Sequence, residues 1–374
     1  MVDTTPRGRA DLPARHPGLA DYARPALRLH PRRGAPGVGD SSVGGPLLWP
    51  VDEPWPTCAD DHELDGGEPV SQEAALADMR RILRGQALEG GTDVGRLDPG
   101  VAAGLTCVLH GLDTLPVAPP ASDPPRVIPA EPVVMASVLQ LYRRDLPAGP
   151  LPLPEWMFPG GTDVLQVVWC PNPHEDTYEP RVRLYWRTEA ELGSVRDADP
   201  DLNLFTRDED VDFTPRPCVL HPESVEEHPP ITLSEPGGDD FESAMLGILP
   251  PALERACAAW TADGEPRAEF DRQDYSDHAG VPGWKLGGWL PHLGFFPLPD
   301  DHCVCGAPTF LLLGATFEAL VGPWLPTMDP GFPWTDPEEW DAGGPTGVWC
   351  GRNGRLWLLG CTADPAHPVL TYSE

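Results

Sequence analysis

The chain has 374 residues, with 26 basic and 58 acidic side chains and a net charge of −32, which argues against direct binding to nucleic acid or anionic lipid, since both rest on basic contacts. Fifty prolines and 39 glycines argue against long helices, because an interior proline costs about 3 kcal/mol. Thirteen tryptophans and a hydrophobic content of 40% nonetheless supply a core, so short strands joined by turns are predicted.

In chain order, residues 1–37 are polar and rich in arginine and proline, and are expected to be a flexible tether. Their first thirty residues have no apolar h-region, so no secretory signal is expected. A Gly-Gly turn follows in Ser41-Ser-Val-Gly-Gly-Pro-Leu-Leu-Trp-Pro50. Gly37, Gly39 and Gly45 do not keep the spacing of a nucleotide-binding loop, and no strand precedes them. After Trp55-Pro-Thr-Cys58 the composition shifts, and residues 59–132 are expected to be an insertion. It contains a helix from Gln72 to about Leu88 capped by Ser71, then a stiff stretch with seven prolines between 116 and 132.

Apolar, β-branched runs predict strands over 133–142, 163–170 and 182–186. Acidic loops follow. Asp197, Asp199, Asp201, Asn203 and Asp208 imitate a calcium loop, but Leu202 stands where the turn requires glycine, so a solvated loop is expected. Residues 241–261 form a helical connector split at Pro250-Pro251. A second, longer Gly-Gly turn occupies residues 280–294, with five glycines, two tryptophans and two prolines. Strands are predicted over 309–313, 347–350 and 355–361. The run 310–317 is too short to span a membrane. Nine cysteines, without disulfide-like spacing, fit a reducing cytoplasm.

The two halves repeat an order of parts: a Gly-Gly turn, a cysteine, an apolar strand, then a strand ending in cysteine followed by proline and histidine. We therefore expect a mainly β, β-rich α+β fold of internally duplicated antiparallel sheets with few short helices. The repeats span about 38–220 and 280–374 within a single domain, 38–374; one half alone would leave a sheet face uncovered.

Chemistry is sparse. No nucleophile elbow, zinc-protease motif or cysteine-protease setting occurs. Lys285 is the only lysine in the chain. Between Trp284 and Leu286 it is either partly desolvated with a lowered pKa, or a structural ammonium tying loop carbonyls. Trp284, Lys285, Gly287, Gly288 and Trp289, with Gly44 and Gly45, are the candidate binding residues. No cofactor is expected unless zinc is bound by Cys303, Cys305, Cys361 and His367, with Cys350 in reserve and the Cys170/His174 pair also compatible. The competing reading makes the cysteines small buried apolar residues.

The ordered set Ser42-Val-Gly-Gly-Pro-Leu-Leu-Trp-Pro, Pro54-Trp-Pro-Thr-Cys, Leu139-Gln-Leu, Arg144-Asp-Leu-Pro147, Leu165-Gln-Val-Val-Trp-Cys-Pro and Lys285-Leu-Gly-Gly-Trp resembles the YwqG-like family, a domain of unknown function. The resemblance covers roughly residues 38–374 outside the insertion. It implies a β-rich roll with internal duplication. The family is similar to ribosomal-protein chaperones of the programmed-cell-death-protein-two type, and some bacterial members sit near toxin systems. Two departures stand out: Ser42 occupies a position where the family often has lysine, and the insertion after Cys58 displaces the usual second cysteine. The expected function is a cytoplasmic, non-enzymatic module binding a basic protein client, as chaperone or toxin neutraliser. The alternative is a metal-dependent or other hydrolase using the cleft between the repeats.

Overall fold

A computed structural model describes residues 4, 6, 8–60, 132–149, 152, 154–172, 174, 179–202, 213–230, 249–260, 275–290, 302–318, 322–327, 344–350 and 354–373. All belong to one compact unit formed by 1–62 and 131–374. The helix expected from Gln72, the proline-rich stretch, and all but the ends of the 59–132 insertion lie outside the described residues. So does the first piece of the 241–261 connector.

The protein is mainly β. Fourteen strands are described: β1 Arg24–Arg28, β2 Arg32–Arg33, β3 Ser42–Val43, β4 Thr57–Cys58, β5 Val133–Val134, β6 Ala136–Tyr142, β7 Val164–Trp169, β8 Val182–Arg187, β9 Cys218–Val219, β10 Glu223–Glu227, β11 Lys285–Gly287, β12 Thr309–Ala315, β13 Leu356–Cys361 and β14 Leu370–Ser373. The helices are short: α1 Leu12–Arg15, α2 Pro251–Ala258 and α3 Tyr275–Ala279. None among the described residues is long and apolar enough to cross a membrane.

Two six-stranded antiparallel sheets run in the orders β2-β9-β3-β6-β7-β8 and β10-β1-β11-β12-β13-β14, with β4-β5 as a separate pair. The orders correspond strand for strand. In each, a Gly-Gly strand (β3 or β11) sits third, followed by two long strands and an outer one. The strand beside it comes from elsewhere in the chain: β9 lies against β3, and β1 against β11. Both long hairpins carry a bulge. Val138 is the extra residue between the Ser137↔Val168 and Leu139↔Val167 pairs, and Leu312 is the extra residue between Leu311↔Leu359 and Leu313↔Leu358.

Counting from the bulges puts the halves in register. Ser42 faces Gln140 and Lys285 faces Gly314, each partner two residues past its bulge. Cys170 and Cys361 each lie two residues beyond the pairs Ser137↔Val168 and Leu311↔Leu359. Thr57↔Val134 corresponds to the bridge His302↔Pro308, which aligns Cys58 with Cys303.

The main core lies between the sheets. Leu27, Val43, Val138, Leu139, Leu165 and Trp169 join Trp284, Leu286, Leu312, Leu313, Leu356 and Leu358 in one apolar cluster. β7 and β13 are buried at every position, which is why they read as continuous apolar runs; Leu47, Leu48 and Trp49 pack against the second face of β7.

Two expectations need correction. From residue 8 the N-terminal segment is part of the fold: β1 pairs with β10 and β11 inside a sheet, and Leu12, Leu19, Leu27 and Arg28 are buried. Three of its arginines pack on aromatic rings. Arg9, Arg15 and Arg24 lie over Trp324, Trp260 and Trp289, at 4.6, 5.1 and 3.4 Å from the ring centroids, so composition typical of a tether instead packs on tryptophan. Residues 347–350 do not form a strand, because Gly347 turns left-handed at φ 68° with the Arg216 side chain packed against it.

Candidate functional site

The second Gly-Gly turn is held by buried charge. Gly287 and Gly288 both have positive φ, 71° and 78°, a region glycine enters at no steric cost. A Cβ on Gly287 would come within 3.0 Å of the Pro25 carbonyl oxygen, and one on Gly288 would fall on the Glu227 carboxylate. That carboxylate accepts hydrogen bonds from the backbone N–H groups of Val281 and Trp289, each at 2.8 Å, and from Lys285 Nζ. Lys285 Nζ also donates to the Trp289 carbonyl at 2.9 Å. A second buried pair stands beside the first. Arg28 donates to Glu318 at 3.1 Å and to the Trp324 carbonyl at 2.6 Å. Glu318 in turn accepts the Trp284 N–H at 3.1 Å.

Burial holds the Lys285 ammonium below its ordinary range, with Glu227 opposing. Burial likewise pushes the Glu318 carboxyl up against the pull of Arg28 and the Trp284 N–H. Among the candidate binding residues, Trp284, Lys285, Gly287 and Trp289 are thus buried, and Gly288 is half-buried. They hold the turn from inside the fold. Gly44 and Gly45 are placed differently. They line a cavity of about 380 Å³, together with Trp55, Leu202, Asp197 and Asp199. Asp197 is exposed, whereas Asp199 is half-buried and accepts the Leu47 N–H at 3.1 Å.

The four candidate metal ligands come together although up to 64 residues separate them in sequence. The ligand atoms of Cys303, Cys305, Cys361 and His367 all lie within 4.8 Å of one another. A tight turn presents the first two: the Cys303 N–H donates to Ala307 O at 2.8 Å, and the Gly306 N–H, at positive φ, donates to Cys303 O at 2.7 Å. Cys361 ends β13. His367 is carried back by the turn at Asp364, whose carbonyl accepts the His367 N–H at 3.2 Å.

Cys305 Sγ lies 3.7 Å from Cys361 Sγ, and His367 Nδ1 lies 3.4 and 3.5 Å from the sulfurs of Cys361 and Cys303. A tetrahedral zinc ion with ordinary bond lengths sets sulfurs about 3.8 Å apart and sulfur from nitrogen about 3.6 Å. The three separations above match these values, and the remaining ones lie within 4.8 Å. The other ring nitrogen of His367 lies 3.9 Å from the Asp364 carboxylate, which is electrostatic proximity and not a hydrogen bond.

Burial raises the Cys361 thiol, but hydrogen bonds from His367 and from the Asp364 and Ala363 N–H groups outweigh it and bring it down to about 6. The hydrogen bond to Cys361 raises His367. The donor set suits zinc, and four protein ligands describe a closed, structural type of site. Cys350 is not part of it and packs in the core between the sheets. The carboxylates Glu227, Glu318 and Asp364 had no signal in the sequence. Glu227 lies among other acidic residues, Asp364 in a turn, and Glu318 alone in an apolar run, and only the fold selects them.

No protein-family model matches this chain, and no curated protein matches it.

Proposed function

We propose that this chain is a YwqG-like protein built as a duplicated β-rich unit, and that it works as a cytoplasmic, non-enzymatic module that binds a basic protein partner, chaperone-like or toxin-neutralising. A structural zinc ion at Cys303, Cys305, Cys361 and His367 staples its second half. The observation that carries the binding reading is the cavity beside Gly44 and Gly45. Trp55 and Leu202 give it an apolar wall, and Asp197 and Asp199 give it an acidic edge, a combination that accepts the aliphatic stem and cationic head of an arginine or lysine. The acidic chain around it steers a basic partner toward that edge. Lys285 supports the non-enzymatic reading, since its ammonium is already committed to Glu227 and the Trp289 carbonyl.

The test is capture of partners on the immobilised chain, with binding of the identified basic partner then measured from about 0.05 M to about 0.5 M salt. Affinity should fall steeply with salt, and Asp197→Arg should weaken it by about tenfold or more. Recovery of no basic partner, or one whose binding ignores both salt and Asp197→Arg, contradicts the proposal.

A further inference from the structure

The position of the zinc cluster has a counterpart in the first half. There Cys58, Cys170 and His174 are all buried, with ligand atoms within 4.8 Å of one another. His174 Nε2 lies 3.3 Å from Cys58 Sγ. Its Nδ1 lies 3.1 Å from the Glu179 carbonyl oxygen, to which it can only donate. That contact fixes the tautomer and leaves the Nε2 lone pair facing the sulfurs, as in metal-binding histidines. The strand register makes Cys58 the equivalent of Cys303 and Cys170 the equivalent of Cys361. Two residues beyond each first cysteine stands Cys305 in the second half and Asp60 in the first; the exposed Asp60 carboxylate lies outside the 4.8 Å group.

We propose that Cys58, Cys170 and His174 bind a second zinc ion, with Asp60 in the position that Cys305 fills in the other half. Asp60 is the weak member of the set. Its carboxylate is engaged by Arg181 at 3.0 Å, and it lines, with Cys58 and Arg183, a cavity of about 300 Å³. The first-half ion is therefore held by two thiolates and one imidazole, with a hard oxygen donor at the cavity wall. It exchanges faster than its partner, and its fourth position is reachable by a small anion.

The test is metal content of the full-length chain, purified under reducing conditions with zinc and passed through gel filtration. The wild type should carry two zinc ions, and Cys58→Ser should lose one and keep one. A competing chelator should strip the ions in two phases. Asp60→Cys completes a second three-cysteine, one-histidine set, so it should slow the faster phase by roughly an order of magnitude. It should also strengthen the sulfur-to-metal charge-transfer band of the cobalt-substituted protein. These last two readouts add a ligand instead of removing one, and they hold even if Cys58→Ser fails to fold. One zinc ion in the wild type, a disulfide between Cys58 and Cys170 in the reduced preparation, or an Asp60→Cys chain with unchanged stripping and cobalt spectrum would overturn the proposal.

Discussion

The two Gly-Gly turns occupy the same place in their sheets, yet they are braced by opposite chemistry. Around Gly287 and Gly288 the brace is ionic, with Lys285 on Glu227 and Arg28 on Glu318. Around Gly44 and Gly45 it is neutral. Ser42 replaces the lysine, and the buried amides of Gln140 and Gln166 take over. Gln140 accepts the Leu48 N–H at 2.7 Å and the Gln166 amide at 2.9 Å, and donates to the Val38 carbonyl at 2.8 Å. Gln166 donates to the Leu48 carbonyl at 3.1 Å and accepts Arg187 at 2.8 Å. Both solutions tie down the segment after the turn. They differ in what happens when one partner is lost, because a stranded buried charge costs more than a stranded amide.

The largest effect should come from Gly288→Ala and Lys285→Ala. Alanine at 288 adds a positive-φ penalty to a clash with Glu227, and Lys285→Ala leaves the Glu227 carboxylate buried without its cation. Each should destabilise the chain by about 3–5 kcal/mol in denaturant unfolding, and Lys285→Arg by less, since the charge remains while its shape changes. Gln140→Ala, the same kind of cut in the neutral turn, should cost about 1–3 kcal/mol. Equal losses for Lys285→Ala and Gln140→Ala would erase the distinction between the turns.

A smaller effect involves pH. Burial keeps His228 neutral in the fold down to about 4, with Arg9 adding to that effect and Asp11 opposing it; Glu226 lies 3.6 Å from its Nε2. In the unfolded chain a histidine charges near 6.5. Its folded pKa is thus lowered, and the unfolded chain takes up a proton that the fold refuses as pH falls from about 6.5 to 4, so stability declines through that window. His228→Gln should flatten the decline by roughly 1–2 kcal/mol, with no change above pH 7. A variant whose pH profile superimposes on the wild type would contradict this.

Much of this architecture is legible in the sequence, for identifiable reasons. The strands over 133–142, 163–170 and 182–186 are runs of branched and aromatic residues, and they appear as β5 with β6, β7 and β8. The four-residue metal set could be picked out because cysteine and histidine recur after corresponding strands. The N-terminal segment misleads because its arginines stack on tryptophans far along the chain, a contact that composition does not report. The role of Lys285 is likewise invisible without Glu227, 58 residues away. The match of Cys170 to Cys361 is visible in the repeated strand, cysteine, proline and histidine order, whereas only the bulge-to-bulge register pairs Cys58 with Cys303.

The central claim is that the second half is closed by a structural zinc ion. It is tested most directly by metal analysis of the folded chain before and after chelation, with thermal unfolding followed on the same samples. The account predicts at least one zinc ion that survives gel filtration, and a melting temperature that drops when it is stripped and recovers when zinc is restored. A chain that is folded and melts cooperatively while holding less than about a tenth of an equivalent of any transition metal would contradict it.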